Sequence, residues 1–217
     1  MTETAKGPHQ DQPVVRAGAP LASARGAMIL THGRGATAES ILSLAEVLGA
    51  TDLALFAPQA SGNTWYPNSF LSEIKKNEPD ITSGILVLSD LVAEIEQGGI
   101  SADQIALLGF SQGACLTLEF SARNARRYGA VVGYSGGLIG PDDTPREYAG
   151  NLAGTPVFLG CSDIDGHVPL ARVRHTTEVL TRLGATVDER IYPGMGHTIN
   201  DDEVHAVRNM LTSLGAK

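Results

Sequence analysis

The chain has 217 residues, of which 42% are hydrophobic and 18% are charged, a balance typical of one globular domain with a sizeable core. Its net charge of −8 comes from scattered acidic residues, and no basic patch interleaved with aromatic side chains is present, which argues against nucleic acid as a partner. Gly, Ser, Asp or Glu interrupts every long apolar stretch, so no membrane insertion is expected.

The first thirteen residues, MTETAKGPHQDQP, are polar and lack the apolar core of a signal peptide. We therefore expect residues 1–13 to form a disordered extension, residues 14–217 to form a single domain, and the protein to be cytoplasmic. Cys115 and Cys161 are not in a C-x-x-C pair, and we interpret both as small buried residues rather than as a disulfide or metal ligands.

Apolar, β-rich runs alternate with helix-forming runs along the chain. This alternation predicts an α/β fold, with a mostly parallel sheet and helices on both faces. The predicted strands lie at residues 28–31, 53–56, 105–108, 130–132, 157–160 and 187–192. The predicted helices lie at residues 39–48, 81–97 with Asp80 as N-cap, 114–123, 170–183 and 201–214. The longest connections are too short for a separate lid domain, so the pocket should be open and shallow.

A serine lies between two glycines where the third predicted strand meets the helix that follows it. The segment Gly109-Phe110-Ser111-Gln112-Gly113 matches the nucleophile elbow, a sharp turn that displays a serine hydroxyl above the carboxyl end of a parallel sheet. Glycine is required on both sides because a side chain there would collide with neighbouring backbone.

The same pattern occurs a second time, at Gly133-Tyr134-Ser135-Gly136-Gly137. The residues that follow, including Gly140 and Pro141, are too rich in glycine and proline to begin a helix. Without a helix N-terminus, Ser135 lacks the geometry that stabilises an oxyanion. We therefore favour Ser111 as the nucleophile and interpret Ser135 as a turn residue at the end of a strand.

A serine hydroxyl needs a base to take its proton, and the base needs an acid to orient it. Asp165 and His197 follow Ser111 in that chain order, each on a loop after a predicted strand. Asp163 is the alternative acid; Asp165 is preferred because Asp-x-x-Val-Pro places its carboxylate just before the next helix. His175 and His205 fall inside predicted helices, where a histidine without a catalytic role is the simpler interpretation.

His167 lies close to Asp163 and Asp165 in the sequence and raises the alternative of a metal site. No further ligands cluster there, and neither a metal nor a cofactor is expected.

The oxyanion formed when Ser111 attacks a carbonyl carbon needs two N–H donors. The main-chain N–H of Gln112, at the start of the elbow helix, is the first candidate. The second is the N–H of Arg34 in the glycine-rich segment 31–35, for which an ordinary strand-to-helix turn is the alternative.

Together these motifs resemble the phospholipase/carboxylesterase family of α/β-hydrolases, which includes the acyl-protein thioesterases. The resemblance extends over residues 26–214 and rests on the elbow together with His32-Gly33, Ser135-Gly136-Gly137, Asp165-x-x-Val168-Pro169 and Gly196-His197. It implies an α/β-hydrolase fold, with residues 14–217 as one catalytic domain. It also implies a cofactor-free serine hydrolase that cleaves carboxylic or thiol esters, often as a homodimer. Family thioesterases usually carry Leu where this chain has Arg34, and that departure argues against a lipid-lined acyl channel.

We therefore expect a serine carboxylesterase that hydrolyses a small-molecule ester through an acyl-enzyme. The alternatives are a thioesterase or dienelactone-type hydrolase, and a non-hydrolytic small-ligand receptor built on a hydrolase scaffold. Trp65, Tyr66 and Phe70 are candidates for an apolar wall of the substrate site; alternatively, Trp65 and Tyr66 merely cover the sheet edge. The Arg34 side chain is expected at the same mouth, where it would favour a substrate bearing a carboxylate.

Overall fold

One mixed sheet runs through the computed structural model, which describes residues 7–215. Its strands are β1 (Val14–Gly18), β2 (Ala27–Thr31), β3 (Ala54–Pro58), β4 (Ile105–Phe110), β5 (Ala130–Tyr134), β6 (Pro156–Ser162) and β7 (Thr186–Tyr192). The spatial order is β1-β3-β2-β4-β5-β6-β7. β1 pairs antiparallel with β3, and every other pairing is parallel. The carboxyl ends of the parallel strands therefore share one edge, where α/β folds place their ligands.

Helices cover both faces of this sheet. They are α1 (Ala38–Val47), α2 (Asp80–Gln97), α3 (Gln112–Arg123), α4 (Leu170–Arg182) and α5 (Asp201–Thr212). One core cluster joins the sheet to α2, α3 and α4, and a second joins the other face to α1 and α5. The side chains of β2 alternate between the two faces of the sheet: Ile29 packs into the first cluster, and Met28 and Leu30 pack into the second. This is the α/β-hydrolase architecture that the sequence predicts.

Two details of the prediction were wrong. The edge strand β1 was not predicted, because it is short and half-exposed and therefore carries no apolar run. Asp80 is the first residue of α2 rather than its N-cap; the N-cap is Pro79, whose side chain caps nothing. The first turn is stabilised instead by the Glu78 carboxylate, which accepts hydrogen bonds from the N–H and the hydroxyl of Thr82 at 3.0 and 2.9 Å.

Residues 7–13 pack against the domain, so the expectation of disorder over residues 1–13 is wrong for this part; residues 1–6 lie outside the described residues. His9 is almost fully buried. Its ring Nε2 lies 3.0 Å from the carbonyl oxygen of Trp65, and its Nδ1 accepts a hydrogen bond of 3.0 Å from the N–H of Ser61. Its own N–H donates to Ser83 Oγ at 2.9 Å. The polar composition of this segment suggested disorder. It could not show these contacts, because each one pairs a polar group of the segment with a polar group far away in the sequence.

The burial of His9 predicts a pH-dependent contribution to stability. Burial lowers the pKa of His9 from its usual value of 6.5, against the opposing effect of its hydrogen bond to Trp65. The unfolded chain therefore binds this proton more readily, so the contribution of His9 is fully present above about pH 6.5 and is lost as the pH falls. We expect the unfolding free energy of His9→Gln to fall less than that of the wild type from about pH 7 to about pH 5, as measured by urea denaturation.

His205→Gln on the exposed surface of α5 is the matched control and should retain the wild-type pH slope. His32, whose pKa burial also lowers, remains in both variants, so the slope should decrease without vanishing. Equal slopes in the wild type and His9→Gln would contradict the prediction.

Candidate active site

Ser111 occupies a strained turn between β4 and α3. Its φ of 55° and ψ of −119° are unusual for a residue with a side chain. A Cβ atom added at Gly109 would lie 2.4 Å from the carbonyl oxygen of Gly113, and one added at Gly113 would lie 2.2 Å from that of Thr31. Both contacts are with backbone that cannot move aside, so both positions require glycine. The Ser111 N–H donates to the Tyr134 carbonyl at 2.9 Å and fixes the turn against β5.

The loops after β6 and β7 bring Asp165 and His197 to this serine. His197 Nε2 lies 2.8 Å from Ser111 Oγ, and His197 Nδ1 lies 2.7 Å from Asp165 Oδ2. The Asp165 side chain is completely buried, while that of His197 remains 21% exposed. The three side chains thus form a continuous series of hydrogen bonds from hydroxyl to imidazole to carboxylate, which is the geometry that a catalytic triad requires.

Asp165 is held as an ionised carboxylate by the groups around it. Its Oδ1 accepts hydrogen bonds from the N–H groups of His167 and Val168 at 2.8 and 3.0 Å. Burial alone would raise the pKa of Asp165, but the hydrogen bonds from His197 and from these two amides outweigh it and lower the pKa. A buried negative charge beside Nδ1 keeps the imidazole oriented towards Ser111.

The alternative acid and histidines lie elsewhere. Asp163 accepts a hydrogen bond of 2.8 Å from the Gly194 N–H, which anchors the loop that carries His197. His175 lies on α4 beside Glu178, at 3.9 Å, and His205 is exposed on α5. Ser135 also has a positive φ, of 50°, but no helix follows it and it is fully buried.

Two rings pack against the imidazole of His197. The centroid of Phe110 lies 5.1 Å away and that of His167 lies 4.8 Å away. Sequence reasoning considered His167 only as a metal ligand and gave Phe110 no role, because spacing along a chain does not show which rings meet on separate loops. Within residues 7–215, no group of three or more His, Cys, Asp or Glu residues is arranged to hold a metal ion.

The loop after β2 faces the elbow and presents its main chain to Ser111. His32 Nε2 accepts a hydrogen bond of 3.1 Å from the Ala60 N–H, so its hydrogen is on Nδ1, which lies 2.8 Å from the Gly33 carbonyl. Burial lowers the pKa of His32 and favours this neutral form. The N–H of Arg34 has no acceptor among the described residues, so it is available to an oxyanion.

The Gln112 side chain connects the elbow helix to the segment after β3. Its Oε1 accepts a hydrogen bond of 2.9 Å from the Trp65 N–H, and its Nε2 donates to the Tyr66 carbonyl at 2.8 Å. The main-chain N–H of Gln112 lies in the first turn of α3, where helix N–H groups have no acceptor within the helix. The structure thus places one predicted oxyanion donor on the loop after β2 and the other in the first turn of α3, directly after Ser111.

A cavity of about 530 Å³ opens above Ser111 and His197. Tyr66 and Phe70 line it, but Trp65 does not. The Trp65 ring is fully buried between His9 and His32, with centroids 5.3 and 5.2 Å away, and its Nε1–H donates to the His32 carbonyl at 2.9 Å. The assignment of Trp65 to the substrate wall is therefore wrong, because neighbouring residues in this irregular segment face opposite sides.

Arg34 also lines the cavity, and its guanidinium is held entirely by carbonyl oxygens. Nη1 donates to Pro67 at 3.0 Å, while Nη2 donates to Tyr66 at 2.9 Å and to Asn68 at 2.8 Å. Carbonyl groups position a guanidinium without neutralising its charge. The cavity therefore has a fixed positive charge on its wall.

Fold and site together define an α/β-hydrolase with a serine, histidine and aspartate at the carboxyl edge of its sheet. The model of the phospholipase/carboxylesterase family matches residues 12–214, and the chain belongs to that family. A solved phospholipase/carboxylesterase from Dyadobacter fermentans is 42% identical, with a TM-score of 0.91 over 96% of this chain and 100% of that one.

Curated relatives include thioesterases. Acyl-protein thioesterase 1 of Saccharomyces cerevisiae is 26% identical over 91% of this chain and 96% of its own length. Acyl-protein thioesterase 1 of Gibberella zeae is 30% identical over 56% of this chain, and the match spans only 53% of that relative. Among the described residues, no helix combines the length and apolar character that a membrane span requires.

The hydrogen-bond partners of the two aspartates predict unequal effects on activity. Asp165→Asn replaces the ionised partner of His197 Nδ1 with a neutral amide, and kcat/KM for an ester should fall on the order of a thousandfold or more. Asp163→Asn keeps an oxygen that can accept from Gly194 and should cost less than about tenfold. The measurement is kcat/KM for both variants at one pH; equal losses, or a larger loss at Asp163, would show that Asp165 is not the orienting acid.

Proposed function

We propose that the protein is a serine carboxylesterase that hydrolyses small acyl esters through an acyl-enzyme intermediate. The observation that carries the proposal is the continuous hydrogen-bonded series Ser111–His197–Asp165, with distances of 2.8 and 2.7 Å. Membership of a family whose named relatives are carboxylesterases and thioesterases supports it.

In the first half of the reaction, Ser111 Oγ attacks the carbonyl carbon of the ester while His197 Nε2 takes the hydroxyl proton. Asp165 holds Nδ1–H and stabilises the imidazolium that forms. The oxyanion accepts hydrogen bonds from the main-chain N–H groups of Arg34 and Gln112. The C–O bond to the leaving group then breaks, and His197 gives its proton to the leaving oxygen.

The second half of the reaction releases the acid. Water from the open cavity gives a proton to His197 and attacks the acyl carbon, and the same two N–H groups bind the second oxyanion. The bond to Ser111 Oγ breaks as His197 returns the proton. Tyr66 and Phe70 line the cavity and are the proposed apolar contacts for a short acyl group.

A thioesterase is the second candidate, favoured by the names of the curated relatives. The same residues would cleave a thiol ester, because the bond that breaks differs only in its leaving atom. Oxygen and thiol esters with one acyl chain separate the two activities, since both pass through the same acyl-enzyme and differ only in the step that forms it.

The proposal predicts which serine becomes acylated. A fluorophosphonate should modify Ser111, and Ser111→Ala should abolish ester turnover. Ser135→Ala, the matched variant at the second G-x-S-x-G match, should keep most of the activity because Ser135 is fully buried and no helix follows it. Mass spectrometry of the labelled peptide and steady-state kinetics provide the measurements.

Labelling at Ser135 would overturn the assignment of the nucleophile. Stoichiometric acylation of Ser111 without turnover would instead favour the non-hydrolytic receptor.

The charge on Arg34 predicts a preference for anionic esters. A guanidinium held by three carbonyl groups attracts a carboxylate on the substrate, and a charge-assisted hydrogen bond contributes about 1.5–3 kcal/mol. For a matched pair of neutral and anionic esters, Arg34→Ala should lower the anionic-to-neutral ratio of kcat/KM by about tenfold or more. Loss of the Arg34 side chain would also loosen residues 66–68, but that loosening affects both substrates. The anionic-to-neutral ratio therefore isolates the effect of the charge.

Arg34→Lys is the matched control. It should retain part of the preference for anionic esters, because lysine keeps the positive charge but lacks the planar, forked N–H donors of a guanidinium. An unchanged ratio in Arg34→Ala would leave Arg34 with a main-chain role only.

A further inference from the structure

A second, shallow cavity of about 330 Å³ lies beside the loop after β2 that carries Arg34, on the outer surface of α1. We call it the α1 groove. Its apolar lining comes from Ile41, Leu44 and Val47, which are spaced three residues apart on one side of the helix, and from Phe110 and Ile199. Val47 is 51% exposed, which is unusual for a large hydrophobic residue of this protein.

The α1 groove adjoins the cavity above Ser111. Gly33, Ala36 and Phe110 line both. Of these, Gly33 lies against the elbow, since a Cβ atom there would lie 3.3 Å from Phe110 Cδ1 and 3.5 Å from Ser111 Cβ. A chain attached to a carbonyl carbon at Ser111 would therefore reach the groove past these three shared residues.

The α1 groove is also lined by the residues that follow His197 in the chain. Thr198 and Ile199, which line it, follow His197 directly, and the Phe110 ring packs against the imidazole at 5.1 Å. Because His197 must donate a proton to the leaving oxygen or sulfur, that atom lies near the imidazole in the first half-reaction. With the leaving group in the groove, the acyl group would extend towards Tyr66, Phe70 and Arg34.

The two compartments differ in chemistry. The cavity above Ser111 includes the Arg34 guanidinium, whereas the α1 groove has no Asp, Glu, Lys or Arg side chain in its lining. The polar groups of the groove are hydroxyls, from Ser40, Ser43 and Thr198, and the buried ring of His32. Uncharged apolar surface open to solvent favours a hydrocarbon chain over a charged or strongly hydrated group.

We propose that the α1 groove is the leaving-group subsite and binds the aliphatic chain of the alcohol or thiol that is released. The inference rests on the proposed ester hydrolysis and adds the chemical class of the leaving group. It predicts that kcat/KM depends on chain length in the alcohol, and that residues of α1 set this dependence.

The test uses acetate esters of linear alcohols with about two to about eight carbons. In the wild type, kcat/KM should rise about twofold to fourfold for each methylene that reaches the groove. Leu44→Gln and Val47→Gln, which both place the good helix former Gln in α1, should lower the octyl-to-ethyl ratio by about fivefold or more. Leu86→Gln replaces another exposed leucine, on α2 and 44% exposed, and should keep the wild-type ratio.

A second series, ethyl esters of acids with increasing chain length, identifies which half of the substrate the groove binds. The ratios in this series should be the same in the wild type and both α1 variants. Thermal denaturation of each variant shows whether Leu44→Gln, which is partly buried, remains folded; Val47→Gln tests the groove without that risk.

An octyl-to-ethyl ratio that stays unchanged in Val47→Gln, no rise with alcohol length in the wild type, or a loss confined to the acyl series would each overturn the inference. These outcomes differ from a failure of the proposed ester hydrolysis itself. In that case the wild type would not turn over ethyl acetate, and a fluorophosphonate would not label Ser111.

Discussion

The close approach of the elbow to the end of β2 is the constraint on which the rest of the site depends. An added Cβ at Gly113 would lie 2.2 Å from the Thr31 carbonyl and 2.5 Å from that of His32, so the first turn of α3 touches bare backbone. The Thr31 hydroxyl lies 3.0 Å from the carbonyl oxygens of both Leu108 and Gly113 and joins the two strands to the turn. This contact sets Ser111 and the loop after β2 side by side, because Ser111 directly follows β4 and the loop directly follows β2.

A second set of contacts holds the loop after β2 in place. His9 contacts the Trp65 carbonyl, Trp65 Nε1–H donates to the His32 carbonyl, and His32 contacts the Gly33 carbonyl. The three rings also pack together, at 5.3 and 5.2 Å. The N-terminal segment is thus connected, through two buried aromatic side chains, to the backbone beside Ser111.

The sequence predicted the parts of the fold and site that follow from local patterns. Periodicity located the parallel strands and the helices, and the two glycines around Ser111 identified the elbow because only glycine fits that turn. The pattern did not show that Trp65 faces away from the cavity, since an irregular segment has no periodicity to orient its side chains. The cytoplasmic location, the homodimer and the single catalytic domain over residues 14–217 stay predictions.

The partners of Arg34 show a further limit of sequence reasoning. Its place after His32-Gly33 predicted the main-chain role, but nothing in the sequence indicated that carbonyl groups from residues 66–68 would hold the guanidinium. Such contacts depend on how two loops pack against each other at the sheet edge. The spacing of residues along the chain does not show how the loops pack. The same is true of the Phe110 and His167 rings against His197.

The contacts of His9 also bear on where the chain can be cut. Trimming the polar residues ahead of β1 would be a natural choice for crystallisation or tagging, and it would begin the chain at Val14. The Trp65 carbonyl and the Ser61 N–H, which now meet the His9 ring at 3.0 Å, would then be left without these partners at a partly buried position. The shortest fragment that preserves this packing therefore begins ahead of His9, although the regular secondary structure starts five residues later.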